Sequence, residues 1–137
     1  MILKECFTDE FITSKVGNIT EKKKIYEKVV HAFYLLEKLA NTDLYFVFKG
    51  GTSLMLILNE FNRFSVDIDT LMKKEMQNKI DDIVFSFKDD IFVDMVEDKR
   101  KPVDIIKRHF KFYYNSIYEL QNENEKPYIL LDIVFNE

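Results

Sequence analysis

Apolar side chains recur at helical spacing in two stretches of the chain. In the first, Asn18 is a candidate N-cap with Glu21 three positions later, and an apolar stripe runs on to Asn41. In the second, apolar residues recur at the same spacing over 76–87. These patterns predict two amphipathic helices, whereas the first 17 residues show no clear period.

Other stretches have the pattern of β-strands. Leu44–Phe48 is continuously apolar, which predicts a buried strand. Over Phe64–Leu71 apolar and polar residues alternate, so this strand has one apolar face and one face that carries Asp67 and Asp69. Further strands are predicted over 91–96, 108–118 and 128–135, with a polar turn at 121–126. A short helix from Thr52 or Ser53 to Glu60 completes a mixed α/β sandwich, in which helices flank the sheet.

Composition and charge narrow the class of protein. A chain of 137 residues with 47% hydrophobic and 32% charged residues is expected to form a single globular domain, residues 1–137. The net charge of −4 gives no general attraction to nucleic acid, so a polyanionic partner would need a local basic patch such as Lys22–Lys24 or the cluster within 99–108. A single cysteine, Cys6, excludes an intrachain disulfide and a cysteine-based zinc site. The longest apolar run, 54–58, is too short to span a bilayer, so we expect a cytoplasmic protein without a membrane partner.

A pair of glycines, Gly50 and Gly51, separates the first predicted strand from the short helix. Glycine lets a ligand approach the main chain closely, and the free N–H groups at a helix N-terminus attract phosphate. The hydroxyls of Thr52 and Ser53 and the charge of Lys49 would add to such a site. The feature alone is weak evidence, because turns of this kind are common, and the Walker A pattern is absent.

Two aspartates, Asp67 and Asp69, form a separate signal on the next strand. Residues two apart in a strand point to the same face, with Cα atoms about 7 Å apart. Carboxylates so placed repel each other unless a cation lies between them, and hard oxygen ligands favour Mg²⁺ or Mn²⁺. The alternative interpretation of Asp67 and Asp69 is an exposed strand face without a metal. Because the glycine turn and the aspartates are separated by one short helix, bound phosphates would lie near bound metals, as phosphoryl or nucleotidyl transfer requires.

The combination resembles a known signature. Lys49–Leu54 reads KGGTSL, fifteen residues separate Gly51 from Asp67, and Arg63 and Ser65 precede the aspartate pair. This run is similar to the signature of polymerase-β-like nucleotidyltransferases, and within them to the AbiEii/AbiGii toxins of bacterial abortive-infection toxin–antitoxin systems.

The resemblance implies a polymerase-β-like fold and a role for each residue of the signature. Gly50, Gly51, Thr52 and Ser53 would hold the β- and γ-phosphates of an NTP, and Asp67 and Asp69 would bind Mg²⁺ or Mn²⁺. Asp132, on the last predicted strand, is the candidate for the third carboxylate, which binds metal and helps to deprotonate the acceptor hydroxyl. Lys49 and Arg63 would neutralise triphosphate charge or pair with the aspartates. Ser65 would bond a phosphate oxygen or a metal-bound water.

The resemblance further implies a toxin that transfers NMP from an NTP to RNA, with tRNA as the candidate acceptor and an antitoxin as protein partner. Because the sequence ends at Glu137, directly after the strand with Asp132, we expect the family's C-terminal helical region to be missing and transfer by this short form to be weak or absent.

The alternative function is that of a catalytically silent, truncated domain that binds a nucleotide or a partner. A metal-dependent phosphohydrolase has less support, since no His/Asp cluster is evident. His31 and the aromatic residues of 110–114 are expected to be structural, and His109 to decorate a strand, although His109 and these aromatics could also contact RNA.

Overall fold

A computed structural model describes residues 2–49, 67–98, 107–118 and 126–136. Within these residues the helices are α1 (Asp9–Val16), α2 (Thr20–Ala40) and α3 (Gln77–Phe85), with short 3-10 turns at Lys4–Phe7 and Lys74–Met76. The strands are β1 (Phe46–Lys49), β2 (Asp67–Lys73), β3 (Phe92–Glu97), β4 (Lys107–Tyr114) and β5 (Tyr128–Asn136). The predicted short helix after Gly51 and the polar turn at 121–126 lie outside the described residues, apart from Lys126.

The strands form one mixed sheet in the order β1-β2-β5-β4-β3. The central pair, β2 and β5, is parallel, and the other neighbouring pairs are antiparallel. The last strand of the chain is thus inserted beside β2, between two strands that precede it in sequence. This mixed sheet with flanking helices confirms the predicted α/β class.

One face of the sheet packs against α2 and α3 and forms the core. Alternate residues of the strands supply it, among them Ile68 of β2, Phe112 of β4 and Leu131 of β5, each 0% exposed. From the helices, Leu35 of α2 and Ile80 of α3 are equally buried. Because the core takes every second residue of β2, β4 and β5, the remaining side chains of these strands are held on the opposite face.

The N-terminal helices differ from the prediction. Helix α1 lies where no period was found, because it buries a single residue, Ile12, and a stripe of one residue leaves no periodic signal. It begins where Thr8 Oγ1 accepts a hydrogen bond from the N–H of Phe11 and ends at Gly17, whose φ of 80° favours glycine. The prediction that Asn18 caps the next helix is wrong: α2 has Ile19 at its N-cap, without a side-chain hydrogen bond.

Two predicted strands also need correction. The first is not buried, because β1 pairs only with β2 among the described strands and turns alternate side chains outward; Val47 is 59% exposed. The strand predicted to reach Tyr118 ends at Tyr114. Beyond it, the hydroxyl of Ser116 and the N–H of Ile117 bind the buried Glu27 of α2, at 2.5 and 2.9 Å, so this segment pairs with a helix side chain. None of the helices in the described parts of the chain is long and apolar enough to cross a membrane.

Candidate active site

Four side chains, each from a different strand, lie in one line across the sheet. Lys49 of β1 is the register partner of Asp69 in β2. Asp69 is in turn opposite Asp132 in β5, and Asp132 is opposite His109 in β4. Register partners in neighbouring strands have their side chains on the same face. Lys49, Asp69, Asp132 and His109 therefore form a single row, here called the cross-strand row, on the face opposite the core.

The local sequence explains why these polar residues share a face. In β2, Ile68 and Thr70 are buried and Asp67 and Asp69 exposed, as the period of two predicts. The one polar side chain that β2 directs inward, Thr70, satisfies its hydroxyl by donating to the backbone carbonyl of Asp132 at 3.2 Å. This bond ties β2 to β5 beside the cross-strand row.

Asp69 and Asp132 lie next to each other, since their strands are about 4.8 Å apart. Burial raises the pKa of Asp69 to about 6, and a hydrogen bond with Asp132 together with the charges of Asp132 and Asp67 acts in the same direction. Lys49 opposes these effects on the pKa, yet its positive charge is outweighed. The protein therefore holds Asp69 in a place where a negative charge costs free energy unless a cation is added.

His109 is the residue of the site that sequence reasoning missed. Its Nδ1 hydrogen-bonds Oδ1 of Asp132, and the two side chains are only 17% and 21% exposed. The prediction that His109 lies on a strand is confirmed, but the contact with Asp132 depends on which strand neighbours β5. His109 and Lys111 alternate with the buried Phe110 and Phe112, and this alternation indicates the face of the sheet on which His109 lies. It does not indicate which strand pairs with β4.

The predicted site residues divide into those the structure describes and those it does not. Gly50, Gly51, Thr52, Ser53, Arg63 and Ser65 lie outside the described residues. Lys49, Asp67, Asp69 and Asp132 share one face, and Asp69 contacts Asp132. Asp67 lies one pleat further along β2 and acts on Asp69 through its charge.

The donor set has the chemistry of a Mg²⁺ or Mn²⁺ site, because it consists of carboxylate oxygens whose repulsion a divalent cation would relieve. The described side chains do not by themselves converge as three or more His, Cys, Asp or Glu ligands. The contacting pair Asp69 and Asp132 would thus be the first ligands, with Asp67 the nearest further carboxylate on β2.

Several side chains that could have contacted RNA have structural roles instead, and His31 is structural as expected. Arg108 binds Glu97 and Asp81, with Nη2 to oxygen distances of 2.8 and 2.6 Å, so its charge is already paired. Phe110, Phe112 and Tyr114 belong to the core. His31 is 4% exposed, stacks on Tyr114 at a ring distance of 3.7 Å, and has its pKa lowered to about 4 by burial.

A profile of the nucleotidyl transferase AbiEii toxin family, of type IV toxin–antitoxin systems, matches residues 34–137. The chain belongs to this family. The match to the AbiEii family includes every described strand and the whole cross-strand row, and it begins inside α2. Membership in a toxin–antitoxin family implies an antitoxin partner. A search of curated proteins and a search of solved structures found no match.

Proposed function

We propose that this AbiEii-family chain is a Mg²⁺- or Mn²⁺-dependent nucleotidyltransferase that moves NMP from an NTP to a hydroxyl of RNA, with tRNA as the first acceptor to test. The observation that carries the proposal is the pairing of Asp69 with Asp132 on adjacent parallel strands, with Asp67 on the same face. The raised pKa of Asp69 supports it, because it marks a place where a cation would be bound favourably.

Each residue of the site has a role in the proposal. Asp67, Asp69 and Asp132 would hold the divalent cation, which when bound neutralises triphosphate charge and stabilises the leaving pyrophosphate. Lys49, at the β1 end of the cross-strand row, lies beside Asp69 and would contact a phosphate oxygen. The segment from Gly50 to Ser53 follows Lys49 directly and would bind the β- and γ-phosphates through backbone N–H groups. Arg63 and Ser65 would add a charge and a hydroxyl to the phosphate site.

The reaction itself is an in-line displacement at the α-phosphorus. The acceptor oxygen forms a bond to this phosphorus, the bond to the bridging oxygen breaks, and pyrophosphate leaves with the bonding electrons. Asp132 would accept the proton of the acceptor hydroxyl, the role that the family resemblance implies for the third carboxylate.

The reaction class is tested by incubating the chain with total RNA, Mg²⁺ and each NTP in turn, labelled at either the α- or the γ-phosphate. Nucleotidyl transfer places the α-label in RNA and leaves the γ-label in pyrophosphate, and EDTA abolishes both. Transfer of the γ-label to RNA would identify a kinase, and release of label as free phosphate would identify a phosphohydrolase. Binding of NTP without any turnover would identify a silent nucleotide-binding domain.

A further inference from the structure

Asp132 has a neighbour on each side within the cross-strand row. On the β2 side it meets Asp69, and on the β4 side its Oδ1 meets Nδ1 of His109. Because a carboxylate oxygen only accepts hydrogen bonds, Nδ1 must carry the hydrogen. One oxygen of Asp132 is therefore engaged from the β4 side, while on the β2 side the same carboxylate meets Asp69.

We propose that His109 is a positioning residue, which fixes the Asp132 carboxylate so that its second oxygen is presented to a divalent cation shared with Asp69. The inference rests on the proposed function, because it takes Asp132 as a metal ligand. The inference adds His109, from a fourth strand, to the proposed site; the signature in 49–71 does not contain this residue.

The physical reason is the freedom of an aspartate side chain. The terminal torsion of aspartate is broad, so a carboxylate without partners samples many orientations. Beside Asp69, like-charge repulsion would also turn Asp132 away from the shared position. A donor on the opposite side removes both problems, since it restricts the torsion and stabilises the anion of Asp132.

A merely structural role for the bond is a weaker explanation. Strands β4 and β5 are already joined by a continuous backbone register from Lys107 opposite Val134 to Tyr113 opposite Tyr128. The backbone carbonyl of His109 is bound by the N–H of Asp98 at 2.8 Å, which holds β4 on its other side. The side-chain bond between His109 and Asp132 is thus not needed to align the strands.

The test measures Mn²⁺ binding to the metal-free protein by the loss of the electron paramagnetic resonance signal of free Mn²⁺. His109→Ala is expected to weaken Mn²⁺ binding by roughly 10- to 100-fold, the usual effect of losing a partner of a metal ligand. His109→Asn is expected to keep most of the affinity, because its amide nitrogen occupies the position of Nδ1 and donates a hydrogen bond. Lys107→Ala, which removes a charge from the same face of β4, is the matched control and should bind Mn²⁺ like the wild type.

The outcomes separate this inference from the proposed function. If Asp132→Asn binds Mn²⁺ as tightly as the wild type, the metal site itself is refuted. If Asp132→Asn loses affinity while His109→Ala keeps it, only the positioning role is refuted. Equal losses in His109→Asn and His109→Ala would also overturn it, by showing that the imidazole itself is required. Should His109→Ala fail to fold, His109→Gln, whose amide lies farther from the backbone, replaces it with the same expected loss.

Discussion

Replacing Asp69 by asparagine is expected to stabilise the metal-free protein, although it removes a residue of the proposed site. The pKa of Asp69 rises from 3.8 to about 6 on folding, so between these values the folded state binds the proton more tightly than the unfolded state. The contribution of Asp69 to stability is therefore most favourable below pH 4 and is lost as the pH rises through 6. Asparagine keeps the size of the side chain and cannot ionise, so it avoids this loss.

The size of the effect follows from the pKa change and the exposure of the site. A change from 3.8 to about 6 sets an upper limit of about 3 kcal/mol at pH 8. Although its surroundings partly desolvate the carboxylate, Asp69 as a whole residue is exposed, so solvent screening reduces the expected gain to about 1 kcal/mol. With an unfolding entropy of about 2.1 cal/mol/K per residue over 137 residues, this corresponds to an increase in Tm of about 3 °C.

The assay is thermal unfolding of the wild type and Asp69→Asn in EDTA at pH 8 and at pH 4, repeated at pH 8 with Mn²⁺. The variant should exceed the wild type at pH 8 and differ little from it at pH 4. Mn²⁺ should raise the Tm of the wild type and have much less effect on the variant, because a ligand stabilises only the state that binds it. Asp82→Asn in α3, on the helical side of the sheet, serves as the control for loss of one exposed charge. A metal-free Asp69→Asn that is less stable than the wild type at pH 8 would refute the electrostatic account of the cross-strand row.

Three further predictions concern single residues. Glu27→Ala should lower the free energy of unfolding by about 2 kcal/mol, because it leaves the N–H of Ile117 without its carboxylate; a urea midpoint that implies a loss below about 0.5 kcal/mol would contradict this. Burial lowers the pKa of His31 from 6.5 to about 4, so the unfolded state gains a proton first and stability falls as the pH drops through this window, by up to about 3 kcal/mol. His31→Gln should therefore lose less stability than the wild type between pH 7 and pH 4 in chemical unfolding, and an identical pH dependence would count against the assignment. Gly51→Val should abolish NTP binding in calorimetry, since a side chain would block the approach of phosphate to the main chain; unchanged affinity in a folded variant would leave Gly51 a structural role.

The sequence predicted what a local period can show. The alternation around Asp67 and Asp69 is enforced by burial of Ile68 and Thr70, so the face of these carboxylates follows from neighbours in the same strand. The strand that carries Asp132 could be predicted in the same way, because apolar residues lie on both sides of Asp132 in the sequence. The order of α2, α3 and the five strands followed from the same reasoning, whereas α1 was not predicted.

What could not be predicted depends on contacts between distant parts of the chain. Nothing local to Asp132 indicates that β5 is inserted between β2 and β4, and this insertion brings Asp69, Asp132 and His109 together. The edge position of β1 is equally non-local: an apolar run reads as buried, yet Val47 is exposed because only β2 pairs with β1 among the described strands. Register and strand order arise from the whole sheet, and period alone does not encode them.

The most direct test of the central claim, that the carboxylates of this sheet carry nucleotidyl transfer, is the rate at which α-labelled NTP enters RNA in single-residue variants. With Mg²⁺ and total RNA, Asp69→Asn and Asp132→Asn should each lower the rate by at least about 100-fold, the scale of losing metal alignment or a general base. Asp82→Asn should transfer label at the wild-type rate. Incorporation at the wild-type rate in Asp69→Asn or Asp132→Asn would contradict the account.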